Sequence, residues 1–472
     1  MGIHVQFEQI AESYLHILKE ENKMKKLLAL LLVGAMSLSL VACGGGANEP
    51  AAQESSVAVE SEAPAESEAA GTEAVGTDLA ADITLWTYPV GNWGDAAAVE
   101  ALIAGFNEVY PNINVTVELL DYANGDDQVN TAIEGGQAPD LIFEGPERLV
   151  ANWGAKGLMV DLSDIWATDV SAAIYDAIEA ACKDAKGAYY EYPVCMTAHT
   201  MAINYDLFKE ADALQYIDEE THTWTTEGFQ KAVEAIVAYG HKNAGAVFCA
   251  GQGGDQGTRA LVNNLYGGTF TNAEHTEYTA NSEENVKALE LLKSMEGINF
   301  DPSIQGGDEI GLFCNGTLAM AFCWNVAQEK TNADAINFDV FPMAFPSEGT
   351  PQLQGGIWGF GVFDNGDANR IDASKAFIKY ITQTDDVYTE AVKTSTYWPV
   401  RDVAGIYDGD ELMTEYGMFM QYMGDYYQVT AGWAEARTAW WNMLQKVGAG
   451  TDVTTAVEEF VTTANAAAAD AQ

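Results

Sequence analysis

Residues 96–119 read AAAVEALIAGFNEVYPNINVTVEL, and two periodicities meet inside that stretch. From Ala96 to Tyr110, Val99, Ile103 and Phe106 recur on one helical face, and Pro111, which has no N–H to continue a helix, ends the pattern. From Ile113 to Leu119 apolar and polar residues alternate, which predicts a strand. Working outward, Ile83-Thr-Leu-Trp86 reads as a short apolar strand, Thr131-Ala-Ile133 sits in a polar helix, and Asp140-Leu-Ile-Phe143 is a continuous apolar strand. Strand–helix–strand–helix–strand implies an α/β fold with a parallel sheet covered on both faces. Ligands of such sheets bind beyond the carboxyl ends of the strands, here Tyr88 to Trp93 and Glu144 to Arg148. Later helix faces are marked by Phe229, Val233, Ile236 and Val237, and by Val286, Leu289 and Leu292 after a capping-type start at Asn281–Glu284.

A chain of 472 residues exceeds one ordinary core and suits two lobes or domains. Its 48% hydrophobic and 11% aromatic content lets most of it fold. With 70 acidic residues against 22 Lys and Arg, the net charge of −48 opposes nucleic-acid phosphates and anionic lipid surfaces alike.

The N-terminal part says where the protein resides. Met24-Lys25-Lys26 is a positive start, and Leu27 to Val41 is an apolar run too short to span a bilayer comfortably. It ends in Leu40-Val41-Ala42-Cys43, which resembles the bacterial lipobox. That resemblance implies a signal peptide over 24–42 and a diacylglycerol thioether on Cys43. Two or more acyl chains, at about 0.8 kcal/mol per buried methylene, anchor stably. The expected location is therefore the cell membrane, lipid-anchored on its extracytoplasmic face. Residues 43–79, rich in Gly, Ala, Ser and Glu with no Lys or Arg, read as a disordered acidic tether. Residues 1–23 precede the charged start and read as a start-site misassignment, since Lys19-Glu20-Glu21 can be encoded by a ribosome-binding sequence.

The usual catalytic signatures are missing. No GxSxG, Walker A or HExxH sequence occurs, and His199, His222, His241 and His275 lack ligand spacing, so neither a metal nor a cofactor is expected. Cys182, Cys195, Cys249, Cys314 and Cys323 show no zinc pattern and read as small buried hydrophobes, with a Cys314–Cys323 pair as the alternative.

Several blocks in order resemble the carbohydrate-binding family of solute-binding proteins of ABC importers, the family of the maltose-binding protein. They are Ile83 to Trp86, Phe106 to Val117, Gly136 to Phe143, Ala155 to Leu162 and Tyr192-Pro-Val194. Ile203 to Phe208, Trp224 to Phe229, Gly316 to Met320, Pro399-Val-Arg401 and Gly432-Trp433 follow. The resemblance covers about residues 81–465 and implies the two-lobe periplasmic-binding-protein fold, with a hinge and an interlobe ligand cleft. It places lobe 1 at 80–195 plus 354–400 and lobe 2 at 196–353 plus 401–468. It also implies an oligosaccharide ligand, permease subunits as partners, a monomer and no enzymatic activity.

A sugar needs flat aromatic platforms for its C–H faces and ionised or amide groups for its hydroxyls. Trp433 lies in Thr430 to Ala439, a segment similar to the one bearing a stacking Trp in the family; otherwise it is a core residue. Glu144, Glu147 and Arg148 follow the strand ending at Phe143, where the family places an aromatic, an acid and an Arg; the alternative is a surface salt bridge. Glu144 stands in place of the aromatic, and Thr197 in place of a family glutamate, which argues against maltose itself. Tyr88, Trp93, Trp324, Trp358, Trp398, Arg401 and Asp255 complete the candidates, each with packing as its alternative. Two other functions are weighed: the same fold binding a charged solute such as a polyamine or sugar phosphate, and a secreted glycoside hydrolase. Mass spectrometry of the unprocessed precursor should show Met24 as its first residue; peptides from upstream would contradict the misassigned start.

Overall fold

The structure is a computed structural model, and it describes residues 78–122, 124–247 and 255–471. The signal peptide, Cys43, the tether as far as Thr77, the leading 23 residues, Cys249 and Gly251 to Gly254 lie outside the described residues.

Strand β1, Ala81–Thr87, buries Ile83 and Leu85 on one side. Helix α1, Ala96–Val109, starts where the Asp95 side chain accepts from Ala97 and Ala98 N–H, satisfying donors the helix itself leaves open. It buries Val99, Ile103 and Phe106, the stripe that the spacing predicts. Strand β2, Ile113–Leu119, pairs in parallel with β1 from Ala81↔Ile113 to Thr87↔Leu119. Helix α2, Gly125–Glu134, leads to β3, Leu141–Glu144, which pairs in parallel with the other side of β1.

The sheet is not wholly parallel. Strand β4 is Tyr192–Ala198; β10, Gly355–Val362, enters antiparallel between β3 and β4, and the short β11, Trp398–Pro399, pairs antiparallel with the far side of β4. The order is β11-β4-β10-β3-β1-β2. These additions come from segments remote in sequence, so no local strand–helix–strand pattern announces them. Glycine is required in β10: a Cβ on Gly359 would stand 2.2 Å from the Tyr192 carbonyl oxygen.

A second sheet sets β5, Thr200–Asn204, between β8, Met320–Trp324, and β9, Val340–Met343, all antiparallel. Strands β6, Gly245–Ala246, and β7, Ile298–Asn299, form a two-residue parallel pair. Helix α3, Thr226–Tyr239, buries Phe229, Val233 and Ile236, and α4 is Asp255–Tyr266. Helix α5, Glu283–Ser294, is capped by Ser282, one residue after the expected Asn281. Helix α6, Ala368–Gln383, packs on the first sheet, while α7, Trp433–Gly448, and α8, Val453–Asp470, pack together. Cys314 and Cys323 are both free thiols, each buried, so the disulfide alternative does not hold.

Two large cores result, one around each sheet, and the chain switches between them repeatedly. Met196 belongs to the first and Ala198 to the second; Leu353 to the second and Ile357 to the first; Tyr426 to the first and Tyr427 to the second. These crossings make the two-lobe architecture. Among the described residues no helix is long and apolar enough to cross a membrane.

Just before β3, buried Asp140 ties the first lobe together. It accepts from Thr84 N–H at 2.8 Å, Arg370 Nη2 at 2.7 Å and Asn365 Nδ2 at 2.5 Å. Asp140→Ala leaves these donors unmatched and should cost about 2–4 kcal/mol in urea unfolding; an unchanged midpoint would contradict this role.

Candidate ligand-binding site

Strands β3, β1 and β2 run parallel, so their carboxyl ends open on one side of the sheet. The loop after β1 turns Tyr88 inward, fully buried, and its hydroxyl donates to Asp126 Oδ1 at 2.5 Å. The start of α2 can approach that ring because residue 125 is glycine; a Cβ there would lie 2.7 Å from it. The loop after β3 carries Arg148, which donates through Nε and Nη2 to Asp126 at 2.7 and 3.2 Å and through Nη1 to Glu144 at 2.7 Å. Its guanidinium also lies 5.1 Å over the Tyr88 ring. A π-helical turn, Leu149–Gly154, continues the chain from Arg148.

The carboxyls of this wall differ because their surroundings differ. Burial opposes ionisation of Asp126, but the Arg148 hydrogen bonds outweigh it and hold its pKa below the ordinary value. Glu144 is 1% exposed, and burial pushes its carboxyl up while Arg148 pulls against that shift. Glu191 is fully buried, neither of its side-chain oxygens has a hydrogen-bond partner, and burial aided by Glu147 and Glu144 drives its pKa well up. Glu147 accepts from the Tyr426 hydroxyl at 2.8 Å.

The opposite wall begins where α7 starts. Gly432 has φ +71°, and a Cβ there would lie 2.5 Å from the Ala467 backbone, so glycine lets α7 seat on α8. Trp433 and Arg437 stand one turn apart on α7. Asp255, 1% exposed, accepts from Arg437 Nε at 2.9 Å and Nη2 at 2.5 Å, and also from Arg259 Nη1. Burial works against the Asp255 carboxylate, but the two guanidiniums hold its pKa well below the usual range. Arg259 donates to the Tyr427 hydroxyl at 3.2 Å and lies 4.8 Å from the Trp433 ring centroid.

Between the walls lies a cavity of about 650 Å³, lined by Asp126, Glu147, Arg148 and Lys156 on one side and by Trp433, Glu435, Arg437 and Asp470 on the other. Of the residues singled out in the sequence, Glu147, Arg148 and Trp433 meet there. Glu144 and Tyr88 stand behind Arg148, and Asp255 stands behind Arg437. Trp93 is fully buried and stacked on Phe143 at 4.3 Å. Trp324 is fully buried and donates to the Tyr416 hydroxyl, while Trp398, 5% exposed, donates to the Met413 carbonyl. Trp358 is half-buried and stacks on Tyr397 at 4.9 Å, and Arg401 lies 4.2 Å over Tyr388. Asp126, Arg259 and Tyr426 went unnoticed in the sequence. Their signal was the scarcity of basic residues, which makes each arginine a marker for the acid it must pair with. Among the described residues no group of His, Cys, Asp or Glu is arranged to hold a metal.

Because the folded state keeps Glu191 protonated where the unfolded chain has ionised, the group costs stability as pH rises above the ordinary carboxylate value. Glu191→Gln should therefore melt higher than the parent at pH ~8, with the gap closing toward pH ~4. Equal melting temperatures at both pH values would show that Glu191 has a partner in solution.

The profile of the bacterial extracellular solute-binding protein family matches residues 101–417. No curated protein matches the chain. Among solved structures, the sugar-binding protein MalE of Xanthomonas citri superposes with a TM-score of 0.67 at 16% identity, covering 83% of this chain and 98% of that one. The GacH receptor of Streptomyces glaucescens, solved unliganded and with acarbose, gives 0.65 at 18% identity over 84% and 100% of the two chains. The cyclic α-maltosyl-1,6-maltose binding protein of Arthrobacter globiformis gives 0.65 at 20% identity over 83% and 100%. With two thirds of its length matched by the family profile and this two-lobe fold, the chain belongs to the bacterial extracellular solute-binding proteins.

Proposed function

We propose that this protein captures a neutral oligosaccharide in the interlobe cavity and hands it to an ABC importer without altering it. The carrying observation is that the cleft arginines are already matched: Arg148 by Asp126 and Glu144, Arg437 by Asp255. A wall of matched charges presents polarised N–H and carboxylate edges to hydroxyls, where charge-assisted bonds are worth roughly 1.5–3 kcal/mol each. Among the described lining residues no arginine is left unpaired for a phosphate, and Lys156 is the single lining cation without an ion pair. Asp126 and Asp255 are likewise engaged, whereas Glu435 and Asp470 line the cavity with no ion pair among the described residues, and the spermidine arm of the test below addresses them. The names of the structural neighbours agree, since they include an acarbose complex and a maltotriose-bound domain.

Membership of a solute-binding family argues against hydrolysis. A glycosidase would need two carboxyls flanking the scissile bond, and the incubation arm of the test below reads that activity directly. In this reading lobe 1 comprises 80–195 plus 354–400, lobe 2 comprises 196–353 plus 401–468, and the monomer is held at the outer membrane face by lipidated Cys43 and its acidic tether. Permease subunits then recognise the closed form. The test is calorimetry with neutral trisaccharides of glucose, mannose and xylose, beside glucose 1-phosphate and spermidine. A neutral trisaccharide should bind with micromolar or tighter affinity and remain intact on incubation. Preferred binding of the phosphate or the polyamine, or release of shorter sugars, would contradict the proposal.

A further inference from the structure

The loop after β2 leaves the sheet on the same side as those after β1 and β3. It contains Tyr122, which is 49% exposed. Two other exposed tyrosines, Tyr175 and Tyr239, are each tied through their hydroxyls to a carboxylate, Asp402 and Glu210. Tyr122 is held differently. Its ring stacks on buried Tyr88 with centroids 5.2 Å apart and planes 25° apart, and the Arg148 guanidinium lies 5.8 Å from its centroid. No hydrogen bond of its hydroxyl is present among the described residues. It also lies within the electrostatic reach of Glu144, Glu147 and Tyr397.

These contacts hold the ring beside Arg148, which lines the cavity, with about half of the tyrosine exposed. Tyr88 is clamped by Asp126 and cannot swing away, so Tyr122 rests on a rigid base. The same lobe lacks a platform where the sequence led one to look for it, since residue 144 is a glutamate turned inward beneath Arg148. We infer that Tyr122 is the sugar-stacking platform of lobe 1, taking the apolar face of a pyranose ring whose other end meets Trp433 across the cleft. The inference rests on the oligosaccharide reading above.

The test uses the mature chain and whichever neutral trisaccharide of the panel binds the parent most tightly. Tyr122→Phe keeps the ring and should bind within about threefold of the parent, whereas Tyr122→Leu and Tyr122→Ala should each weaken binding about tenfold or more. Leucine still covers Tyr88, so a loss in the leucine variant reports the lost ring and not uncovered apolar surface. Melting temperatures of all three should stay close to the parent, because the side chain is half exposed. Unchanged affinity in both the leucine and alanine variants overturns the inference and leaves the oligosaccharide reading standing. If no trisaccharide binds the parent, the oligosaccharide reading fails and Tyr122 falls with it.

Discussion

Two carboxylates, Asp126 and Asp255, hold arginines at the facing walls of one cleft, and the site is organised by them. Asp255 does what burial alone would forbid, while Asp126 keeps about half of its side chain in solvent (53% exposed). An isolated guanidinium or carboxylate loses several kcal/mol on leaving water, and removing one partner of a buried pair costs about 3–5 kcal/mol. Asp255 sits 1% exposed only because Arg259 and Arg437 both donate to it. Arg148 is held over Tyr88 because Asp126 and Glu144 grip it from two sides. These clamps set the orientation of Trp433, on which Arg259 lies, and of the Tyr88–Tyr122 stack. The arginines of the cleft are therefore matched before any ligand arrives, while Lys156, Glu435 and Asp470 line the same cavity with no ion pair among the described residues.

The second constraint is topological. The cores change over at Met196/Ala198, Leu353/Ile357 and Tyr426/Tyr427, which brings β4, β10 and the segment after Met423 to one narrow waist. Several thin crossings with a cavity beside them describe a hinge. A ligand shifts such a hinge only through contacts better made in the closed form than in the open one. Contacts from both walls are thus a physical requirement of the mechanism.

Local signals were legible in the sequence and non-local ones were not. The stripe of Val99, Ile103 and Phe106 and the alternation of residues 113–119 carry their own periodicity, so α1 and β2 could be read directly. The insertion of β10 between β3 and β4 joins residues some 160 to 220 positions apart, and no local pattern encodes it. Glu147, Arg148 and Trp433, which line the cavity, could be singled out because they follow recognisable elements. Trp93 and Trp324 misled for a physical reason: an indole that satisfies its N–H internally packs as well in a core as against a sugar. Asp126 stayed hidden among 70 acidic residues. Tyr122 stayed hidden because it stands alone in the polar loop after β2, and its stack on Tyr88 joins residues remote in sequence.

The central claim is that a neutral oligosaccharide draws the two lobes together. Small-angle X-ray scattering of the mature protein, free and then saturated with a trisaccharide shown by calorimetry to bind, measures this directly. The account predicts a smaller radius of gyration in the saturated sample at unchanged molecular mass. Superimposable profiles with the sugar bound would contradict it.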